Sequence, residues 1–175
     1  MSDEQILQDL DSKLPISSSP QDVTKRKQYW SCIDVNGNGY ISLAEIDKGL
    51  RDVIRIQILF DTKPVIMRAF QAAKKCLKST TKHGDDYVSK AEFKYLLNYL
   101  RQYYEYWMMF RKLDQNGDRR VSPAEFNAAM PLLKKWGVPV QNAQAAFKEI
   151  DANAGGFVLF EEFCDWAIRK GASID

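Results

Sequence analysis

The sequence predicts an all-α fold: four helix–loop–helix repeats paired into two closely coupled lobes, with short β-bridges between paired loops. Three observations carry this expectation. From about residue 22 onward, apolar residues recur at helical spacing. The helical pattern is interrupted by four polar loops that resemble one another, which is an internal repeat. The eighth position of every loop is β-branched, namely Ile41, Val88, Val121 and Val158. Such side chains suit a half-buried pleated position, so neighbouring loops are expected to meet there, first with second and third with fourth.

Each repeat justifies itself residue by residue. Aligned on their last glutamate, the loops read DVNGNGYISLAE to Glu45, TKHGDDYVSKAE to Glu92, DQNGDRRVSPAE to Glu125 and DANAGGFVLFEE to Glu162. Four residues before them stand Trp30, Leu77, Phe110 and Phe147; directly after them come Ile46, Phe93, Phe126 and Phe163. These positions fall on one stripe of each flanking helix and should form the core. Residues 12 to 22, SKLPISSSPQD, are rich in serine and proline and are expected to set a short amphipathic N-terminal segment apart from the body. The expected division is an N-terminal segment and linker at 1–21, a first pair of repeats at 22–100 and a second at 101–175.

Composition narrows the chemistry. With 175 residues and 45% hydrophobic content, the chain can bury one good core or two small ones. No apolar run approaches the ~20 residues of a membrane span, and MSDEQILQDL lacks the features of a signal peptide. A cytoplasmic setting is the expectation. Cys32, Cys76 and Cys164 are read as reduced core or half-buried thiols. One histidine and no nucleophile beside an activating base leave nothing to build an enzyme from, and no nucleic-acid module is visible. Net charge is +2, with basic clusters at residues 25–27, 74–78, 119–120, 134–135 and 169–170. They read as solvated helix faces, some of which form a patch for an anionic membrane or an acidic protein surface.

The loops supply oxygen at a spacing that a hard cation requires. Calcium takes ~6 to 8 oxygens, which a twelve-residue loop offers from positions 1, 3, 5, 7, 9 and 12. Loop 1 meets the whole pattern with Asp34, Asn36, Asn38, the Tyr40 carbonyl, Ser42 and Glu45, and Gly39 allows the sharp turn at position six. This is an EF-hand calcium loop. Loop 3 offers Asp114, Asn116, Asp118, the Arg120 carbonyl, Ser122 and Glu125, but Arg119 at position six must adopt a left-handed backbone at a cost of about 1 kcal/mol. Loop 4 keeps Asp151, Asn153, the Phe157 carbonyl and Glu162 while Gly155 and Leu159 give no side-chain oxygen, so a weaker site is expected. Loop 2, with Thr81 and His83 where acids belong, is expected to hold shape without metal. Two or three calcium ions follow.

The stretches FRKLDQNGDRRVSPAEFNAAMPLLKKWGVPVQ and AAFKEIDANAGGFVLFEEFCDWA, with the extended first linker and degraded second loop, resemble the flagellar calcium-binding proteins of trypanosomatids, the calflagins. The resemblance implies a calcium sensor at the flagellar membrane, held by N-terminal acyl groups and basic surface. This chain begins Met-Ser rather than Met-Gly and has no cysteine near its start, so no acyl anchor is expected. A second likeness, to calcium-regulated photoproteins and sarcoplasmic calcium-binding proteins, rests on size, four repeats and the weak second loop. The single histidine and the ending GASID depart from the photoproteins.

The function expected is a calcium sensor that changes helix packing and docks on a protein partner, in a cilium or flagellum; a sarcoplasmic-type buffer or a calcium-stabilised scaffold is the alternative. FKYLLNYLRQYYEYWMMFRKL, residues 93 to 113, reads as one helix with Phe93, Leu96, Leu97, Leu100, Tyr104, Trp107 and Phe110 on a core stripe. Its aromatic residues and Met108 and Met109 are the surface expected to open for a partner.

Overall fold

The structure, a computed structural model, describes residues 1–77 and 86–174. The chain divides into two lobes, residues 1–104 and 105–175. The first lobe begins with α1 (Asp3–Lys13), whose start is a reciprocal cap: the Gln5 amide donates to Ser2 Oγ at 3.2 Å, and Gln5 Oε1 accepts from the Ser2 amide at 2.8 Å. Residues 1–13 are not set apart from the body. Leu7, Leu10 and Leu14 are buried, and Arg101 Nε holds Asp11 at 2.7 Å. Burying a leucine stripe removes its apolar surface from water and offsets part of the cost of ordering this short helix, so the segment joins the first core. Arg26 pins the serine-rich turn, donating to the carbonyls of Pro15 at 2.7 Å and Ser17 at 2.6 Å.

The first repeat is α2 (Pro20–Ile33), β1 (Tyr40–Ile41) and α3 (Leu43–Asp52). Proline at the first position of α2 loses no hydrogen bond there, and Ser19 caps the helix through the Asp22 amide. A Cβ on Gly49 would lie 2.8 Å from Ile33 Cγ1, so the glycine allows α3 to approach the end of α2. The extended linker carries α4 (Gln57–Asp61). The second repeat contributes α5 (Lys63–Cys76), β2 (Val88–Ser89), a single 3-10 turn at Lys90–Glu92, and α6 (Phe93–Leu113), which supplies residues to both lobes.

The second lobe adds β3 (Arg120–Val121), α7 (Pro123–Ala128), α8 (Met130–Lys135), α9 (Ala143–Ile150), β4 (Val158–Leu159) and α10 (Phe160–Lys170). The helix after loop 3 breaks at Ala129 because Pro131 has no amide to give to the preceding turn. Its core is aromatic: Phe126 lies against Phe147 at 5.9 Å and Trp166 at 6.2 Å between ring centres, and Phe110 against Phe160 at 5.7 Å.

The β-branched positions pair as the sequence predicts. Ile41 faces Val88 and Val121 faces Val158, each in a two-residue antiparallel bridge. In α6 the expected stripe is buried from Phe93 to Phe110, with Trp107 half-buried. Met108 and Met109 are buried as well, at 7% and 0% exposure, so in this conformation they are core and offer no surface to a partner. One expectation about cysteines is corrected: Cys164 is buried and Cys76 half-buried, but Cys32 is exposed. It lies beside Trp30 and Ile33, which take the core-facing side of α2 and leave Cys32 pointing outward.

Candidate metal centres

In loop 1, Asp34 closes α2 and Glu45 stands in the first turn of α3, so the two carboxylates that bracket the loop are fixed by helix ends. Asp34 Oδ2 accepts the Gly39 amide at 2.9 Å, Asn36 Oδ1 the Asn38 amide at 3.2 Å, and Asn38 Oδ1 the Tyr40 amide at 3.0 Å. These bonds turn the loop inward. Gly39 takes φ +85°, and a Cβ there would meet nothing within 4 Å, so only backbone strain requires glycine.

Loop 3 repeats the frame with different side chains. Asp114 Oδ2 accepts the Arg119 amide at 2.8 Å, Asn116 Oδ1 the Asp118 amide at 3.1 Å, and Asp118 Oδ1 the Arg120 amide at 3.0 Å. Arg119 stands at φ +64°, the left-handed conformation that position six was expected to force on it. Oxygens of Asp114, Asp118 and Glu125 all lie within 4.8 Å of one another. Glu125 Oε2 is drawn over the start of the loop by the amides of Gln115 at 2.8 Å and Asn116 at 3.4 Å. Desolvation pushes the Asp114 carboxyl above the ordinary range; the Arg119 amide opposes this, and Asp118 and Glu125 add to the rise. Glu125 is lowered: desolvation is overcome by its bonds with Ser122, Asn116 and Gln115. Asp118 is also lowered against its desolvation, through the Arg120 amide and its other neighbours.

One oxygen in each of these loops tests whether a cation fits. Asp34 Oδ1 and Asp114 Oδ1 are buried and have no hydrogen-bond partner among the described residues. A buried carboxylate oxygen without a donor is costly, and a divalent cation at the loop centre removes that cost. The residues present therefore fit calcium.

Loop 4 is built differently. Both oxygens of Asp151 are already capped, Oδ1 by the Gly155 amide at 3.0 Å and Oδ2 by the Gly156 amide at 2.8 Å. Asn153 Oδ1 also accepts from Gly155 at 2.9 Å, and Glu162 Oε2 from Asn153 at 3.3 Å, so the loop is brought together with less unmet demand for a cation. Phe157, whose carbonyl takes position seven, lies under the Arg120 guanidinium at 4.4 Å, and Arg120 also reaches Asp118 at 3.4 Å. In loop 2, Thr81, His83 and Asp85 lie outside the described residues. Glu92 is buried, and its Oε2 has no hydrogen-bond partner among the described residues.

Sequence reasoning missed two features. Ser42 and Ser122 cap the outgoing helices, each accepting the amide of its loop's last glutamate at 3.2 Å while that glutamate's Oε1 accepts the serine amide at 3.0 Å. The Ser-x-x-Glu spacing could have revealed this. Ala154 stands at φ +55°, a left-handed turn at position four that Gly37 and Gly117 make elsewhere. Nothing in an alanine announces it.

Paired helix–loop–helix repeats, bridged at position eight and lined with these oxygens, define a calcium-binding protein of the EF-hand class. Comparison narrows the class: the FCaBP EF-hand domain matches residues 10–100 and the EF-hand domain pair matches residues 117–169. The chain is 31% identical over 159 residues to flagellar calcium-binding protein TB-24 of Trypanosoma brucei brucei, covering 90% of this chain and 73% of that one. It is 30% identical over 156 residues to the flagellar calcium-binding protein of Trypanosoma cruzi, covering 88% and 74%. A solved homologue of programmed cell death 6 protein from Leishmania major Friedlin is 20% identical, with a TM-score of 0.41 over 89% of this chain and 77% of that chain. The chain belongs to the flagellar calcium-binding protein family of EF-hand proteins.

Proposed function

We propose that the protein is a calcium sensor with its principal sites in loops 1 and 3, a weaker site in loop 4 and none in loop 2. The observation that carries the calcium assignment is the buried, unpartnered oxygen of the carboxylate at loop position one, Asp34 Oδ1 and Asp114 Oδ1; loop 2 has Thr81 at that position and offers only Glu92 Oε2. Calcium would be held by Asp34, Asn36, Asn38, the Tyr40 carbonyl, Ser42 and Glu45, and by Asp114, Asn116, Asp118, the Arg120 carbonyl, Ser122 and Glu125. It supplies the positive charge that lets these oxygens converge.

The chain's own residues turn that convergence into movement. Asp34 caps α2 and Glu45 belongs to α3, so drawing both carboxylates to one point changes the angle between the two helices, with Ile33 against Gly49 as the pivot. Glu125 and Asp114 stand in the same relation around loop 3. Repacking of the buried residues of α6, Met108 and Met109 among them, would give a partner its surface. The names of the two trypanosome relatives support a place in a flagellum or cilium.

A calcium titration of the metal-stripped protein in physiological magnesium, followed with a hydrophobic-surface dye, tests the reading. Saturable dye binding at micromolar calcium is expected. Bound calcium with a flat dye response would replace the sensor by a buffer or a structural site. A tagged chain that stays out of the flagellum in its own cell would remove the proposed location.

A further inference from the structure

The first lobe carries a groove of about 190 Å³ between α2 and the start of α6 that the calcium loops do not use. Its floor is apolar: Val23, Trp30 and Phe93, with the two rings edge to face at 5.3 Å. Its rim is cationic, formed by Arg26, Lys27, Lys90 and Lys94, and among the described residues no acidic side chain lines it. Lys27 and Lys90 are exposed and have no acidic partner among the described residues. The acid on this part of α2, Asp22, is occupied by Ser17. The contiguous basic clusters did not reveal this rim, because Lys90 and Lys94 are brought to Arg26 and Lys27 by folding.

We propose that this groove docks an acidic peptide segment of a partner protein, seating one bulky apolar side chain on Trp30 and Phe93 while flanking carboxylates meet Lys27, Lys90 and Lys94. Charge complementarity selects an anionic partner. Shape favours a peptide over insertion into a membrane: Trp30 and Phe93 form the bottom of the groove at 5% and 2% exposure, so this face has nothing to insert into a bilayer, while the groove admits a single side chain between its cationic residues. The proposal supplies the partner class for the sensor reading and rests on it for calcium dependence alone. Trp30 stands four residues before loop 1 and Phe93 directly follows loop 2, so helix movement at loop 1 would change the groove's width.

The test is selection of a random peptide library displayed on phage against the full chain in calcium, with K27E/K90E as counter-target and K27Q/K90Q as a milder variant. Circular dichroism and calcium stoichiometry serve as folding controls. Enriched peptides should combine acids with an aromatic or large aliphatic residue, lose affinity about tenfold or more in K27E/K90E and less in K27Q/K90Q, and weaken with added salt. No enrichment, or equal affinity for wild type and K27E/K90E, overturns the proposal. Retention by phosphatidylserine vesicles that the charge reversal abolishes, with no peptide bound, overturns it in favour of a membrane. Peptides that bind equally in calcium and chelator but are lost in K27E/K90E support the groove while removing the calcium switch.

Discussion

Loop 1 in the first lobe and loop 3 in the second present almost the same oxygens on different backbones. Loop 1 has two carboxylates, Asp34 and Glu45, on a frame relaxed by Gly39 at φ +85°. Loop 3 has three, Asp114, Asp118 and Glu125, on a frame that holds Arg119 at φ +64°. Glu125 is also drawn across its loop by the Gln115 and Asn116 amides. Charge number and backbone ease are thus separate properties of a site, and here each loop has the advantage in one of them. Loop 3 gains more from a cation, because its three carboxylates repel one another without it, while loop 1 needs less strain to hold its shape.

The comparison breaks hardest at position twelve. Glu45→Gln and Glu125→Gln should each move one site beyond the ~10⁻⁵ M edge of the sensor range and remove one calcium from the stoichiometry. Isothermal titration calorimetry reads both effects. Unchanged stoichiometry in either variant would take that loop out of the assignment. Calcium affinity in loop 3 should also weaken as pH is lowered, because desolvation holds the Asp114 carboxyl above its ordinary range and its protonation opposes the cation; calorimetry at stepped pH reads the loss.

Position six tests the backbone alone. Gly39→Ala puts a Cβ into open space at a positive φ, so the change is strain without collision, about 1 kcal/mol, and loop 1 should bind calcium roughly fivefold more weakly. Arg119→Gly should shift loop 3 the opposite way by a similar factor. If instead Arg119→Gly raises the melting temperature without changing affinity, the left-handed turn is already formed in the metal-free loop and the strain belongs to folding.

Much of this was legible in the sequence, for physical reasons that differ between elements. Side chains that accept amides within a twelve-residue loop must recur at fixed spacing whatever surrounds them, so the frame of loops 1 and 3 could be read directly. The bridges at Ile41 with Val88 and Val121 with Val158 followed from side-chain type at a repeated position. The docking of α1 was not legible, because a stripe such as Leu7, Leu10 and Leu14 names a buried face without naming what covers it. Met108 and Met109 lie off the stripe that the spacing marks as core and are buried all the same, since only packing decides the second side of a helix. The left-handed turn at Ala154 and the break at Ala129 depend on backbone context that the residue type does not carry.

A smaller effect separates loop 4 from its neighbour. Leu159 occupies position nine, where loops 1 and 3 have the serine that caps the next helix; only half of the reciprocal cap survives, the Leu159 amide donating to Glu162 Oε1 at 3.0 Å. Leu159 is 39% exposed, so Leu159→Ser forfeits little buried area. It should restore the missing cap on α10, stabilise the second lobe by about 1 kcal/mol and add a side-chain oxygen to the loop. Thermal unfolding measures the first gain and calorimetry the second. A rise in stability with calcium affinity at loop 4 unchanged would show that the loop is limited by the capped Asp151, whose two oxygens the Gly155 and Gly156 amides already satisfy, rather than by its missing ligand. Tighter calcium binding at loop 4 together with the cap would show that one hydroxyl is enough to bring loop 4 into line with loop 3.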